Sequence, residues 1–146
     1  MNKFTIPTEA QSKQRARTFV RNGKSCTFTP KKTVNFENFV KMYVNSQPHK
    51  YYDSELLFMS IKIYLPLPKS KYRKRNPVLE EQFCKGRRDL DNMTKAIKDA
   101  LQGVLYKNDN QICQMYLAKY YAAQGEPGRI EIEIENVNYK FFIDWK

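Results

Sequence analysis

The chain has 146 residues with 26 Lys+Arg against 15 Asp+Glu, a formal net charge of +11 and a pI near 9.6. That length suits one domain, and that charge calls for a polyanionic partner, nucleic acid first, since no basic amphipathic helix points to a membrane surface. The odd, scattered cysteines Cys26, Cys84 and Cys113 exclude a disulfide framework and a zinc knuckle, and His49 has no neighbouring partner for a catalytic dyad.

No apolar h-region opens the chain and no 18-residue apolar run occurs, which predicts a cytoplasmic protein with no membrane span. Lys3–Pro7 reads as a short strand. Residues 8–32 form a basic arm that carries Lys13, Arg15, Arg17, Arg21, Lys24, Lys31 and Lys32, with Gly23 as a turn signal. Arg15 and Arg17 flank Ala16, so an extended arm sets both on one side, as phosphate contacts would need. A solvated loop is the plainer alternative. Thr27–Thr29 is a short strand that stops at Pro30. Thr33–Gln47 has helical period: Phe36, Phe39, Val40, Tyr43 and Val44 share a face, Thr33 or Asn35 caps the start, and Pro48 marks the end.

Glu55–Leu65 alternates as a strand, with Leu57, Met59, Ile61, Ile63 and Leu65 on one face. Pro66 and Pro68 stop it. Residues 69–88 read as a mobile basic loop with Lys69, Lys71, Arg73, Lys74, Arg75, Arg87 and Arg88, a clamp that orders on binding phosphate.

Asp89 and Asp91 follow at the entrance of a helix that runs from Asp91 to Gln102 and stops at Gly103. Unpaired N–H groups and the helix dipole favour negative charge there. Two readings stand side by side. The acids cap the helix, or they form a cradle for a hard cation such as Mg²⁺. Lys95 lies four residues after Asp91, on the same face. Tyr106–Gln111 is a turn, and Ile112–Tyr121 is a strand. Whether Asp109 returns to the acid pair depends on the sheet. In the strand Arg129–Asn136, Ile130, Ile132 and Ile134 face the core, while Glu131, Glu133 and Glu135 face solvent. Tyr139–Lys146 is an aromatic tail suited to an edge strand or a subunit contact. The element order predicts an α+β fold, a mixed sheet with helices packed against it.

Asp-Leu-Asp-Asn at 89–92, Lys95, Ala-Ile-Lys-Asp-Ala-Leu-Gln-Gly-Val at 96–104 and Tyr-Lys-Asn-Asp-Asn-Gln-Ile at 106–112 resemble RusA-type Holliday junction resolvases. The order of the other elements is also similar, from a basic N-terminal segment to a closing hairpin. The resemblance implies one RusA-like domain over residues 1–146. It implies a homodimeric endonuclease that cuts four-way DNA junctions by paired symmetric nicks, in recombination and repair. It implies Mg²⁺, with Mn²⁺ as a substitute, held by Asp89, Asp91 and Asp109, and a functional Lys95. Many members carry proline just before the motif, where this chain has Arg88. Arg15, Arg17, Arg21, Lys31, Lys32, Lys69, Lys71, Arg73, Lys74, Arg75, Arg87 and Arg88 are the candidate DNA contacts. A non-catalytic DNA-binding module, or a nuclease for other branched DNA, would share the basic charge and the acids.

Overall fold

The computed structural model describes residues 2–79, 82–86 and 88–137. In chain order its strands are β1 (Asn2–Ile6), β2 (Arg17–Arg21), β3 (Lys24–Phe28), β4 (Leu57–Leu65), β5 (Gln82–Phe83), β6 (Ile112–Tyr121) and β7 (Arg129–Asn136). Its helices are α1 (Lys31–Asn45) and α2 (Leu90–Leu101). The fold is α+β. A five-stranded mixed sheet runs in the order β1-β7-β4-β6-β5, and β2–β3 form a separate two-stranded sheet.

β4 is central because its alternation is strict. Leu57, Met59, Ile61, Ile63 and Leu65 are fully buried on the helix-bearing face, which removes water from the largest continuous apolar row in the chain. Ile130, Ile132 and Ile134 of β7 join them from one side. Phe36, Val40 and Val44 of α1 and Met93, Ile97 and Leu101 of α2 complete the core from above. The Glu131, Glu133 and Glu135 side of β7 is half-buried on the opposite face, where Lys3 pairs with Glu133 at 3.2 Å.

β4 runs parallel to β6 and antiparallel to β7. The last two strands therefore do not form the closing hairpin expected from the sequence. Each takes one side of β4, and the link between them crosses its end. Ala122 N–H donates to Leu65 O at 2.8 Å there. A Cβ on Gly128 would meet Tyr64 O at 3.0 Å and Glu9 Cα at 3.2 Å, so the crossing needs glycine.

α1 begins at Lys31, two residues before its expected start. Pro30 supplies a fixed φ at the entrance. Thr33 therefore lies inside the first turn, and its Oγ1 accepts from the Gln14 N–H at 3.1 Å. No helix among the described residues is long and apolar enough to cross a membrane. The aromatic tail Tyr139–Lys146 and the candidate contact Arg87 lie outside the described residues.

Candidate active site at the entrance of the second helix

Asp89 is the N-cap of α2: its Oδ1 accepts from the Asp91 N–H at 2.9 Å. That bond ties down the loop-to-helix transition and holds the two carboxyl groups two residues apart at the first turn of the helix. It engages one oxygen of one carboxylate, so capping and cation binding are compatible in the same pair. Both side chains are exposed. Lys95 Nζ lies 3.6 Å from Asp91, with the two side chains 60% and 74% exposed. A pair that open is worth little to stability, so Lys95 can turn to a substrate at small cost.

The entrance is braced from three sides. Lys119 of β6 donates from Nζ to Gly86 O at 2.7 Å and Arg88 O at 2.9 Å. The Cys84 N–H donates to Lys119 O at 3.0 Å. The Arg88 guanidinium reaches Glu9 at 2.7 Å and Ala10 O at 3.0 Å. The Lys13 N–H donates to Asn92 O at 3.2 Å, and the Lys13 ammonium ion-pairs with Asp99, a bond that raises the lysine above its ordinary pKa. Lys119 was not singled out from the sequence, yet a signal was there. In the alternation of β6 it falls in the row of Met115, Leu117 and Tyr121, which the structure sets beside Ile63 on the helix-bearing face, and a lysine turned inward needs polar partners.

Arg88, a candidate DNA contact, is thus a tie between the motif and the N-terminal segment. Arg88→Ala is expected to lower stability by about 1–3 kcal/mol, the scale of a lost charged hydrogen bond. It should leave the salt dependence of DNA affinity unchanged. Urea unfolding and binding titrations at several salt concentrations check this. A reduced salt slope would return Arg88 to the phosphate contacts.

Asp109 stands at the opposite end of α2. Its N–H donates to Gln102 Oε1 at 3.3 Å, just past the helix C-terminus. Twelve residues of α2 span about 18 Å at 1.5 Å each. β6 returns that length, starting beside Asp109 at Ile112 and reaching the entrance at Lys119. The corner that holds Asp109 is rigid. Tyr106 Oη donates to Lys98 O at 2.6 Å, and burial pushes this phenol well above its ordinary pKa. Asn108 and Gln111 form a capping box, and Gln111 Nε2 donates to Tyr52 O and Glu55 O at 3.2 Å each. One protomer therefore does not unite the three aspartates. Among the described residues no three His, Cys, Asp or Glu side chains are grouped to hold a metal ion.

The basic arm divides in two. Residues 8–14 are held against α1 and α2 by the bonds of Arg88, Lys13 and Gln14. Beyond them the chain is not a single extended arm: Arg17–Arg21 pairs with Lys24–Phe28 as a hairpin. Arg15, Arg17, Arg21, Lys31, Lys32, Lys69, Lys71, Arg73, Lys74 and Arg75 are all exposed. The second basic segment is less free than its composition implies. The Gln124 amide accepts from the Arg73 N–H at 2.9 Å and the Val78 N–H at 3.2 Å and donates to Arg73 O at 3.0 Å. Lys71 Nζ sits 4.6 Å from the Tyr121 ring centroid.

The geometry offers two exposed carboxylates and a lysine on a fixed helix entrance, beside exposed cations. The protein YqaN of Bacillus subtilis (strain 168), described as uncharacterized, is 30% identical over 140 residues, covering 93% of this chain and 96% of that protein. A family model described as Endodeoxyribonuclease RusA matches residues 7–135, a span that takes in the acid pair, Lys95, Asp109 and both basic segments. The chain belongs to the RusA endodeoxyribonuclease family.

Proposed function

We propose that this protein resolves four-way DNA junctions in recombination and repair, cutting as a Mg²⁺-dependent homodimer that acts on cytoplasmic DNA. The observation that carries the catalytic part is the Asp89–Asp91 pair, braced on one helix entrance with Lys95 one turn along. The donor set fits Mg²⁺, which takes one or two carboxylates and completes its shell with water and phosphate oxygens. Bound there, such a cation would supply charge stabilisation at a scissile phosphate. Mn²⁺ suits the same hard donors.

The chain's own groups then have distinct tasks. Asp89 and Asp91 hold the negative charge that fixes the cation. Lys95 brings an ammonium to the phosphate held at the pair and offsets charge on the leaving oxygen. Exposed Arg15, Arg17, Arg21, Lys31 and Lys32, which follow the Lys13 tie to α2, and the exposed cations of Lys69–Arg75 draw in the phosphate backbone. The reaction is in-line hydrolysis that leaves a 3′-hydroxyl and a 5′-phosphate.

Asp109 links the site to the homodimer. The Asp109 of a protomer cannot meet that protomer's acid pair across α2. If Asp109 is a ligand, a second copy delivers it. Two-fold symmetry then makes two equal sites, matched to opposed strands of one junction.

A cleavage assay tests the reading. A synthetic four-way junction and a linear duplex of matching sequence are each incubated with Mg²⁺, Mn²⁺ or EDTA. Paired nicks in the junction alone, lost with EDTA, are expected. Cutting of flaps or forks instead would point to another branched substrate. Binding without cutting under both metals would leave the acids as a helix cap only.

A further inference from the structure

From Ala10 to Phe36 the chain has seven Lys or Arg and no Asp or Glu. The β2–β3 hairpin lies in the middle of this stretch, and it shares no strand with the main sheet. Its turn is Asn22-Gly23, with φ of 51° and 75°. Positive φ at both central positions is the turn that matches the twist of a two-stranded ribbon. A ribbon of this kind has little stability of its own in water, which is the condition of an element completed by a partner.

The register makes its two faces different. Arg17 pairs with Phe28, Phe19 with Cys26, and Arg21 with Lys24. Since cross-strand partners share a side, those six residues form one face. Thr18, Val20, Ser25 and Thr27 form the other, joined by a Thr18–Thr27 hydroxyl contact of 3.1 Å. All three cations and both aromatic rings of the hairpin thus point the same way. Phe19 and Phe28 meet edge to face, with centroids 5.9 Å apart, and each remains 45% exposed. The root of the hairpin is fixed beside the catalytic entrance. Lys13 bonds to Asn92 in the first turn of α2, and Gln14 bonds to Thr33 in the first turn of α1.

We propose that this face binds unpaired bases of the DNA next to the cutting site. Phe19 and Phe28 stack on the bases, and Arg17, Arg21 and Lys24 hold the flanking phosphates. The combination of open rings with surrounding cations is that of a single-strand platform, because every base offers a π-face and every nucleotide a phosphate. Cations alone would suffice for a duplex backbone. Two such faces repel each other, so a second copy of this chain is a poor occupant. The inference deepens the nuclease reading and rests on it. It gives the branch point, where bases lose their partners, a recognition element separate from the acid pair.

The test is equilibrium binding in EDTA, where nothing is cut, on a forked DNA with a short unpaired stretch and on a fully paired duplex of equal length. The ring-to-aliphatic double variant Phe19→Leu/Phe28→Leu keeps an apolar pair on the ribbon. It is expected to weaken fork binding roughly tenfold or more and duplex binding by less than about twofold. Arg17→Gln/Arg21→Gln is expected to weaken both and to lower the salt slope by about two. Cys26 lies on the same face, opposite Phe19 and two residues from Phe28, and supplies a readout on an unmodified hairpin. With the exposed Cys113 replaced by Ser and Cys84 buried, alkylation of Cys26 should slow when the fork is bound. Equal losses on fork and duplex would overturn the base contact in favour of a backbone contact. Unchanged binding with unchanged Cys26 reactivity would remove the hairpin from the DNA interface. Cys26 protection that grows with protein concentration, without DNA, would make the hairpin a subunit contact. None of these readouts depends on cutting, so the cleavage assay can fail or succeed separately.

Discussion

Asp91→Asn is expected to abolish junction cutting while junction binding is kept or tightened. Asp91 is 74% exposed, with Lys95 as its ion-pair partner and its N–H bonded to Asp89 Oδ1. The amide keeps the shape and that N–H, so the cap survives. What the fold loses is one favourable charge at a helix N-terminus, about 0.3–1 kcal/mol. What the reaction loses is half of the carboxylate pair. Metal assistance is worth several kcal/mol, and each 1.36 kcal/mol is a factor of ten, so a fall of about a thousandfold in cutting rate is expected. Binding follows the opposite sign, because removing a negative charge beside a phosphate relieves repulsion. The measurement pairs single-turnover cleavage with a binding titration of the same protein. Cutting within about tenfold of wild type would assign the acids to helix capping.

The parts of the fold legible in the sequence are those set by periodic burial. β4 and β7 alternate because one face of each meets the helices, and β6 and β7 have the bounds that their patterns predict. α2 shows its core side at Met93, Ile97 and Leu101 for the same reason. The acid pair was legible because a helix entrance and a dense local motif coincide within a few residues. Long-range placement was not. Nothing local says that β4 separates β6 from β7. That follows from strand order, which depends on the whole set of strands competing for the apolar centre, and with it the question of whether the chain after α2 folds Asp109 back to the acid pair. The hairpin at Arg17–Phe28 was missed for another reason. Its Asn-Gly turn is a strong ribbon signal, but the charges around it favoured an open arm. The charge of Arg88 is visible in the sequence, whereas its partner Glu9 is brought to it only by the fold.

Co-expression of Asp91→Asn and Asp109→Asn chains is expected to restore cutting that neither variant shows alone. The basis is the separation of the two carboxylates. Within one protomer α2 and β6 both stand between them, and the rigid corner at Tyr106–Gln111 holds Asp109 in place. If Asp109 serves a site, that site draws Asp89 and Asp91 from the other chain. In a mixed dimer one site then collects both substitutions and the other collects none. Random pairing makes half of the dimers mixed, each with one intact site of two, so about one quarter of wild-type nicking is expected. The products also differ. A mixed dimer should leave single nicks in the junction, since its second site is dead, and resolution by paired cuts should be rare. If each protomer held a complete site, both variants would be dead in every pairing and mixing would restore nothing. If Asp109 had no part in the reaction, the Asp109→Asn chain would cut unaided. The three outcomes separate a shared site, a self-contained site and a two-carboxylate site in one gel.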